Sequence, residues 1–269
     1  MNLTFRGVRG SLPTPQMDRL RYGGNTACLE IATPDPGHAL LIDCGSGARD
    51  LGDRLLSGDA RTIHILFTHF HWDHIQGLPY FAPLFDPRFD LVFCANRPED
   101  EIRRCLRLQM DHPFFPLPLA EVASRTQFRS VRCGEPFELA GLRVEAFPLC
   151  HPQGAAGYRL GEDGAAIVHA SDHECGRQPV IDEGIRRAAQ GARLLVMDAQ
   201  YTPEEYAGKI GWGHSSFAHV AQIARDSGVE RLALFHHAPA HDDDFLDAML
   251  VRAQDLFPST LMAREGDTL

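Results

Sequence analysis

The chain has 269 residues and no uncharged apolar run near the ~20 residues needed to cross a bilayer, which argues against a membrane span. Its first residues, Met1 to Gly7, show no apolar segment behind a basic start, so a secretory signal is not expected and the chain is placed in the cytoplasm. A disulfide framework is equally absent from the pattern. The seven cysteines are odd in number and scattered, without a CxxC pair, and fit reduced thiols. Positive charge is also in short supply. Lys and Arg total 26 against 36 Asp and Glu, a net charge of −10 that does not attract a long polyanion, so extended nucleic acid is a poor partner. A small anionic substrate stays open, because bound divalent cations can reverse the field locally. No repeat, low-complexity tract or long linker divides the chain, and one domain over residues 1–269 is expected.

A hydrophobic fraction of 44% with 23% charged residues is that of an ordinary globular enzyme. Residues 3–8, 26–32, 39–43, 63–67 and 91–94 read as strands. So do 142–147, 157–160, 166–170, 194–197 and 232–235 in the second half. Helical spacing marks residues 48–56, 100–110, 181–189, 216–226 and 245–253. Ser215 or Ser216 would cap the fourth of these, and Asp242 or Asp243 the fifth. The alternation predicts an α/β architecture of two sheets with helices outside.

Histidine, with 14 residues, is the outlier, and it clusters. Thr68-His69-Phe70-His71-Trp72-Asp73-His74 follows directly on an apolar strand, so its side chains emerge at a strand end. Imidazole and carboxylate suit Zn, Mn or Fe(II), whereas three His and an Asp packed this tightly would desolvate badly in a plain core. Cys150-His151, Ser171-Asp172 and His236-His237 occupy the same place in the pattern, each just beyond a strand. Taken singly, each is as easily a satisfied polar residue at a strand end. Together they point to a metal site.

Over nearly its whole length the chain resembles the metallo-β-lactamase-fold hydrolases. The HxHxDH motif is read at His69, His71, Asp73 and His74, and the later motifs match His151, Asp172 and His236. The resemblance implies a four-layer αββα sandwich and two divalent cations per chain, Zn²⁺, Mn²⁺ or Fe²⁺. It implies that His69, His71 and His151 hold one ion, that Asp73, His74 and His236 hold the other, and that Asp172 bridges them. The doublet leaves His237 as an alternative last ligand. Gly213-His214-Ser215-Ser216 resembles the Gly-His-Ser-Thr element of ribonuclease Z and related cyclic-phosphate phosphodiesterases, in which the His gives a proton to the leaving oxygen. Gly10-Ser11-Leu12-Pro13, Asn25-Thr26 and Gly157-Tyr158-Arg159 are similar to the same branch. The basic, Gly/Pro-rich arm with which ribonuclease Z grips tRNA has no counterpart here, and the branch implies a homodimer. His173 stands where relatives usually have Thr, and it either projects into the site or covers it.

The expected activity is hydrolysis of a small cyclic nucleotide or cyclic phosphate ester by a metal-activated hydroxide, with Asp73 and His214 catalytic. Ser215 and Arg159 are expected to contact substrate, with Arg21 a further candidate, and Asp198 and Gln200 to partner His214. A lactonase- or thioesterase-type acyl hydrolase on the same dinuclear site and a non-catalytic nucleotide-binding protein are the alternatives. Residues 109–119 read equally as an apolar lid or a loop packed on the core, and residues 239–244 as a helix start or as support for His236 or His237.

Overall fold

In a computed structural model, which describes residues 1–162 and 164–269, the apolar alternation builds two sheets. The first holds β1 (Leu3–Gly7), β2 (Cys28–Ile31), β3 (His38–Ile42), β4 (Thr62–Phe67), β5 (Asp90–Ala95) and β6 (Arg125–Ser130), in that spatial order. β1 to β3 pair antiparallel, and β3 to β6 run parallel. The parallel crossovers carry α1 (Ala48–Leu55), α2 (Trp72–Ile75) and α3 (Glu99–Met110). The second sheet holds β7 (Phe137–Leu139), β8 (Leu142–Leu149), β9 (Ala155–Leu160), β10 (Ile167–Ala170), β11 (Leu194–Asp198), β12 (Arg231–Phe235) and β13 (Thr260–Met262). β7 to β10 are antiparallel, and β10 to β13 are parallel. Their crossovers carry α4 (Pro179–Ala189), the short α5 (Pro203–Tyr206), α6 (Phe217–Ser227) and α7 (Asp243–Leu256).

Strand parity explains the layering. In β4, Ile63, Ile65 and Phe67 join an apolar core with Leu51 of α1 and Ile102 and Leu106 of α3, while Leu66 faces the other sheet. In β11, Leu194 and Val196 face the first sheet, and Leu195 and Met197 pack with Ile185, Val220 and Leu246 of α4, α6 and α7. The result is the expected αββα sandwich with three apolar interlayers. The Tyr158 hydroxyl crosses the middle one, donating to Phe67 O at 2.6 Å from a fully buried position. Parallel strands of both sheets therefore deliver their C-terminal ends to a common rim.

β6, β7 and β13 escape the sequence reading, and all three are sheet edges. β6 carries Arg125, Gln127 and Arg129 with no continuous apolar face, and the other two have three residues each. Ser216, not Ser215, caps α6, and Asp242, not Asp243, caps α7 through a bond from Phe245 N at 2.8 Å. Residues 109–119 are anchored by buried Met110 and Leu119, with Phe115 edge-on to Tyr80 and Phe114 exposed. All seven cysteines are free. Among the described residues no helix is long and apolar enough to cross a membrane.

The intersheet bond is open to a direct test. Tyr158→Phe keeps the ring and strands the Phe67 carbonyl, at a cost of about 1–2 kcal/mol. For a chain of this size the melting temperature should fall by roughly 2–8 °C. An unchanged melt by circular dichroism would show that this bond does not help hold the sheets together.

Candidate metal centre at the strand ends

Each residue of the cluster is aimed by the backbone just beyond a strand. His69 follows β4, and His71 is the N-cap position of α2, whose first turn presents Asp73 and His74. His151 follows β8, Asp172 follows β10 and His236 follows β12. Asp172 and His236 take φ of 62° and 61°, and Asp43 beyond β3 takes 59°. Left-handed backbone costs a non-glycine residue about 1–3 kcal/mol, so these turns persist only because the surroundings impose them. Each swings a polar side chain out of the strand's pleat toward the others. Glycines make room on the other side: a Cβ on Gly10 would collide with the His236 ring, and one on Gly213 with the His151 ring.

The donor atoms form three groups among the described residues. Two of them meet at the Asp172 carboxylate, and the third is Asp172, Asp198, His214 and His236. Those of His69, His71, His151 and Asp172 lie within 4.8 Å of one another, as do those of Asp73, His74 and His236. In the first group His151 Nε2 is 3.1 Å from His71 Nδ1. Asp172 Oδ2 approaches His151 Nε2 at 3.5 Å and His69 Nε2 at 3.7 Å. Its other oxygen, Oδ1, lies 3.3 Å from His74 Nε2 and 3.2 Å from His236 Nε2 in the second group. Asp73 Oδ2 completes that group, 3.1 Å from His236 Nε2 and 3.5 Å from His74 Nε2.

These side chains fit divalent cations. His69 Nε2 is buried without a hydrogen-bond partner, and His74 Nε2 and His236 Nε2 face each other at 3.3 Å. An imidazole nitrogen that is not a donor offers a lone pair, and lone pairs converging out of water call for a cation. Burial, reinforced by His74, pushes His69 well down, so it stays neutral. Burial opposes the ionised forms of Asp73 and Asp172, yet His74 and His236 hold both carboxyls well below their usual range. Neutral imidazole and ionised carboxylate are the forms that bind metal. Burial opposes the charged form of His74, but Asp172, Asp73 and Asp43 push its pKa well up, and it gives up its proton as a cation binds.

A surrounding set of bonds fixes the orientations. His74 Nδ1 donates to Asp43 Oδ2 at 2.7 Å, and Asp43 Oδ1 accepts Thr68 N–H at 2.8 Å. His71 Nε2 meets Gln153 Oε1 at 3.1 Å, and His151 Nδ1 donates to Gly213 O at 2.9 Å. The Ser11 amide donates to Asp73 Oδ2 at 2.7 Å. Such partners set tautomer and ring angle. Asp43 and Gln153 escaped the sequence reading, although Asp43 has the signal used for the others, a carboxylate at a strand end before Gly and Ser.

His214 lies against this cluster, and Asp198 is its hydrogen-bond partner. Its Nδ1 is 2.6 Å from Asp198 Oδ2, and its ring stacks on that of His236 with centroids 5.0 Å apart. Burial opposes its charged form, but Asp198, helped by Asp172 and Asp73, raises its pKa to about 9. Gln200 acts on Asp198 instead of His214, donating its backbone N–H to Asp198 Oδ1 at 2.9 Å.

Several expected contacts lie elsewhere. His237 turns away, its Nε2 donating to Ala263 O at 2.8 Å, which leaves His236 as the member of the doublet in the cluster. Ser215 is fully buried, its hydroxyl donating to His173 O and accepting Cys175 N–H at 3.0 Å, so its polar atoms are engaged in shaping the turn. Arg159 falls on the helix-facing side of β9, donating to Ala188 O at 2.6 Å and lining a recess of about 770 Å³ beneath α4, away from the cluster. Arg21 pairs with Asp244 and Asp247 at 2.9 Å each. His173 is buried against Asp182 at 2.9 Å and accepts Cys150 N–H, which makes it a structural bridge. Residues 239–244 start α7 and are tied to the opening loop by the buried Arg9, which donates to His241 O at 2.7 Å.

Residues 38–237 match the family model described as the beta-lactamase superfamily domain. The chain is 27% identical to a ribonuclease Z of Gemmatimonas aurantiaca, an alignment covering 97% of this chain and 93% of that protein. Among solved structures it is similar to the metallo-beta-lactamase fold protein YhfI from Bacillus subtilis, with TM-score 0.74 and 16% identity over 100% of this chain and 98% of the other. It is also similar to a diphosphatase of the PhnP family, with TM-score 0.71 and 20% identity over 100% and 96%.

Metal loading should be visible in stability. An ion at about 100 times its Kd adds about 2.7 kcal/mol, so Zn²⁺ or Mn²⁺ should raise the melting temperature of chelator-stripped protein by roughly 5–10 °C. Asp172→Ala, which removes an oxygen from each group, should abolish most of that rise. Identical melts with and without ion would count against a metal centre here.

Proposed function

The chain belongs to the beta-lactamase superfamily domain family and has the metallo-β-lactamase hydrolase fold; on that premise we propose that it cleaves a small phosphodiester, a cyclic nucleotide or cyclic phosphate ester, at a centre of two divalent cations held by a single domain over residues 1–269. The observation that carries this reading is His214, a proton-bearing imidazole stacked on the centre and backed by Asp198. Cleavage of an alkoxide ester needs a proton at the departing oxygen. Relatives named as a ribonuclease and a diphosphatase support phosphorus over an acyl carbon. The net charge of −10 supports a small substrate over a long nucleic acid.

In this reading His69, His71 and His151 would hold one cation and Asp73, His74 and His236 the other, with Asp172 shared between them. Such cations, when bound, lower the pKa of water toward neutrality and neutralise charge building on the phosphoryl group. The chain's own residues do the rest. Asp73, fixed by the Ser11 amide and held ionised, orients the attacking water, whose proton passes to solvent. Asp198 binds His214 Nδ1, which leaves Nε2 as the atom that gives its proton to the leaving oxygen, and it stabilises the imidazolium beforehand. General-acid help of this kind is worth ~10²–10⁴ in rate.

The pKa of His214 is raised, so its acid form is present at neutral pH and is lost as pH rises through a value of about 9 in the ion-free protein. Neighbouring cations lower that value. Turnover of an ester with an alkoxide leaving group should therefore decline on the alkaline side, and His214→Ala should remove that limb.

The leaving group offers the sharpest test. With Mn²⁺ or Zn²⁺, the protein should turn over bis-p-nitrophenyl phosphate and a cyclic nucleotide well above a His69→Ala control. His214→Ala should cost ~10²–10⁴ on the cyclic nucleotide and far less on the p-nitrophenyl ester, whose phenolate leaves without a proton. Equal losses on both, or turnover no better than the control, would rule the assignment out.

A further inference from the structure

The loop between α5 and α6 is held by a carboxylate outside the cluster. Glu174, buried two residues beyond Asp172, accepts Gly211 N–H on Oε1 at 2.7 Å and Gly213 N–H on Oε2 at 2.8 Å. The Tyr206 hydroxyl adds a third bond, at 3.1 Å. Hydrogen bonds to an ionised acceptor are roughly twice as strong as neutral ones, so this stretch of backbone is firmly pinned. The two clamped amides flank Trp212.

Gly213 itself touches the site. Its carbonyl accepts His151 Nδ1–H at 2.9 Å, and its Cα lies so near the His151 ring and Pro152 that a side chain would collide. Trp212 is thus one Cα spacing, about 3.8 Å, from backbone in contact with an imidazole of the centre, and two residues from His214. Pro152 also walls a recess of about 270 Å³ shared with His69, His71, Arg97 and Gln153, which gives room beside the centre for the rest of an ester.

Single exposed aromatics are common and by themselves mean nothing. Trp212 differs in how it is held. The residue is 58% exposed although the backbone on either side is clamped, and Lys209 Nζ sits 3.9 Å from its ring centroid. An ammonium backs one face of the indole.

We propose that Trp212 is a stacking platform for the base of a nucleotide substrate, with Lys209 behind one face and the base against the other. This rests on the phosphodiesterase reading only for the phosphate half of the ligand. A base stacked on an aromatic ring gains affinity whatever its identity, so the platform selects nucleotide esters over base-free ones without choosing among bases.

Calorimetric titration of the metal-loaded full-length protein with AMP and with ribose 5-phosphate, the same phosphate without its base, tests the idea. The unsubstituted protein should prefer AMP by about tenfold or more. Trp212→Ala should remove most of that ratio, and Trp212→Phe, which keeps a ring, should recover part of it. A ratio near one in the unsubstituted protein, or a ratio that survives Trp212→Ala, overturns the proposal. Failure of the phosphodiesterase reading looks different: no ester is turned over, while the preference for AMP and its dependence on Trp212 persist and support the platform.

Discussion

Asp172 is where the two halves of the sandwich meet chemically. One of its oxygens faces the imidazoles of His69 and His151, and the other faces those of His74 and His236. It reaches that position only by taking φ of 62° immediately after β10. Its carboxylate is fully buried among imidazoles, and burying such a charge is tolerable only when it is surrounded by donors or cations. The αββα architecture supplies the condition. Parallel strands from both sheets end on one rim, so residues far apart in sequence can surround a single carboxylate.

The rest of the site follows from the need to hold like groups together out of water. Asp43, Asp73 and Asp172 are all buried within reach of His74; burial pushes the Asp43 carboxyl up, whereas His74 and His236 hold Asp73 and Asp172 ionised, and His69 stays neutral. Four of the imidazole ring angles are set from outside the cluster: Asp43 for His74, Gln153 for His71, the Gly213 carbonyl for His151 and Asp198 for His214. Glu174 extends the same logic by one step, because the loop it clamps delivers both the Gly213 carbonyl and His214. Rigidity in this region is therefore built from charge-assisted bonds to backbone amides.

The sequence makes the sandwich and the seven clustered His and Asp residues legible because both obey short-range rules. A buried strand declares itself by its apolar run, and a ligand-type residue just beyond several such runs is rarely accidental. Edge strands β6, β7 and β13 lack that run, so only pairing reveals them. The facing of Arg159 follows from strand parity: Tyr158 points between the sheets, so its neighbour in β9 faces α4. His236 and His237 are a similar case, separated only by the left-handed turn at His236. Glu174 and Gln153 were invisible because their partners are backbone groups or side chains of distant loops.

Ion stoichiometry tests the central claim most directly. Chelator-stripped protein titrated with Zn²⁺ or Mn²⁺, then freed of excess ion and measured by elemental mass spectrometry, should retain two ions per chain. The Asp172→Ala variant, if still folded, should retain fewer. One ion or none in the unsubstituted protein would contradict a centre built around a bridging carboxylate.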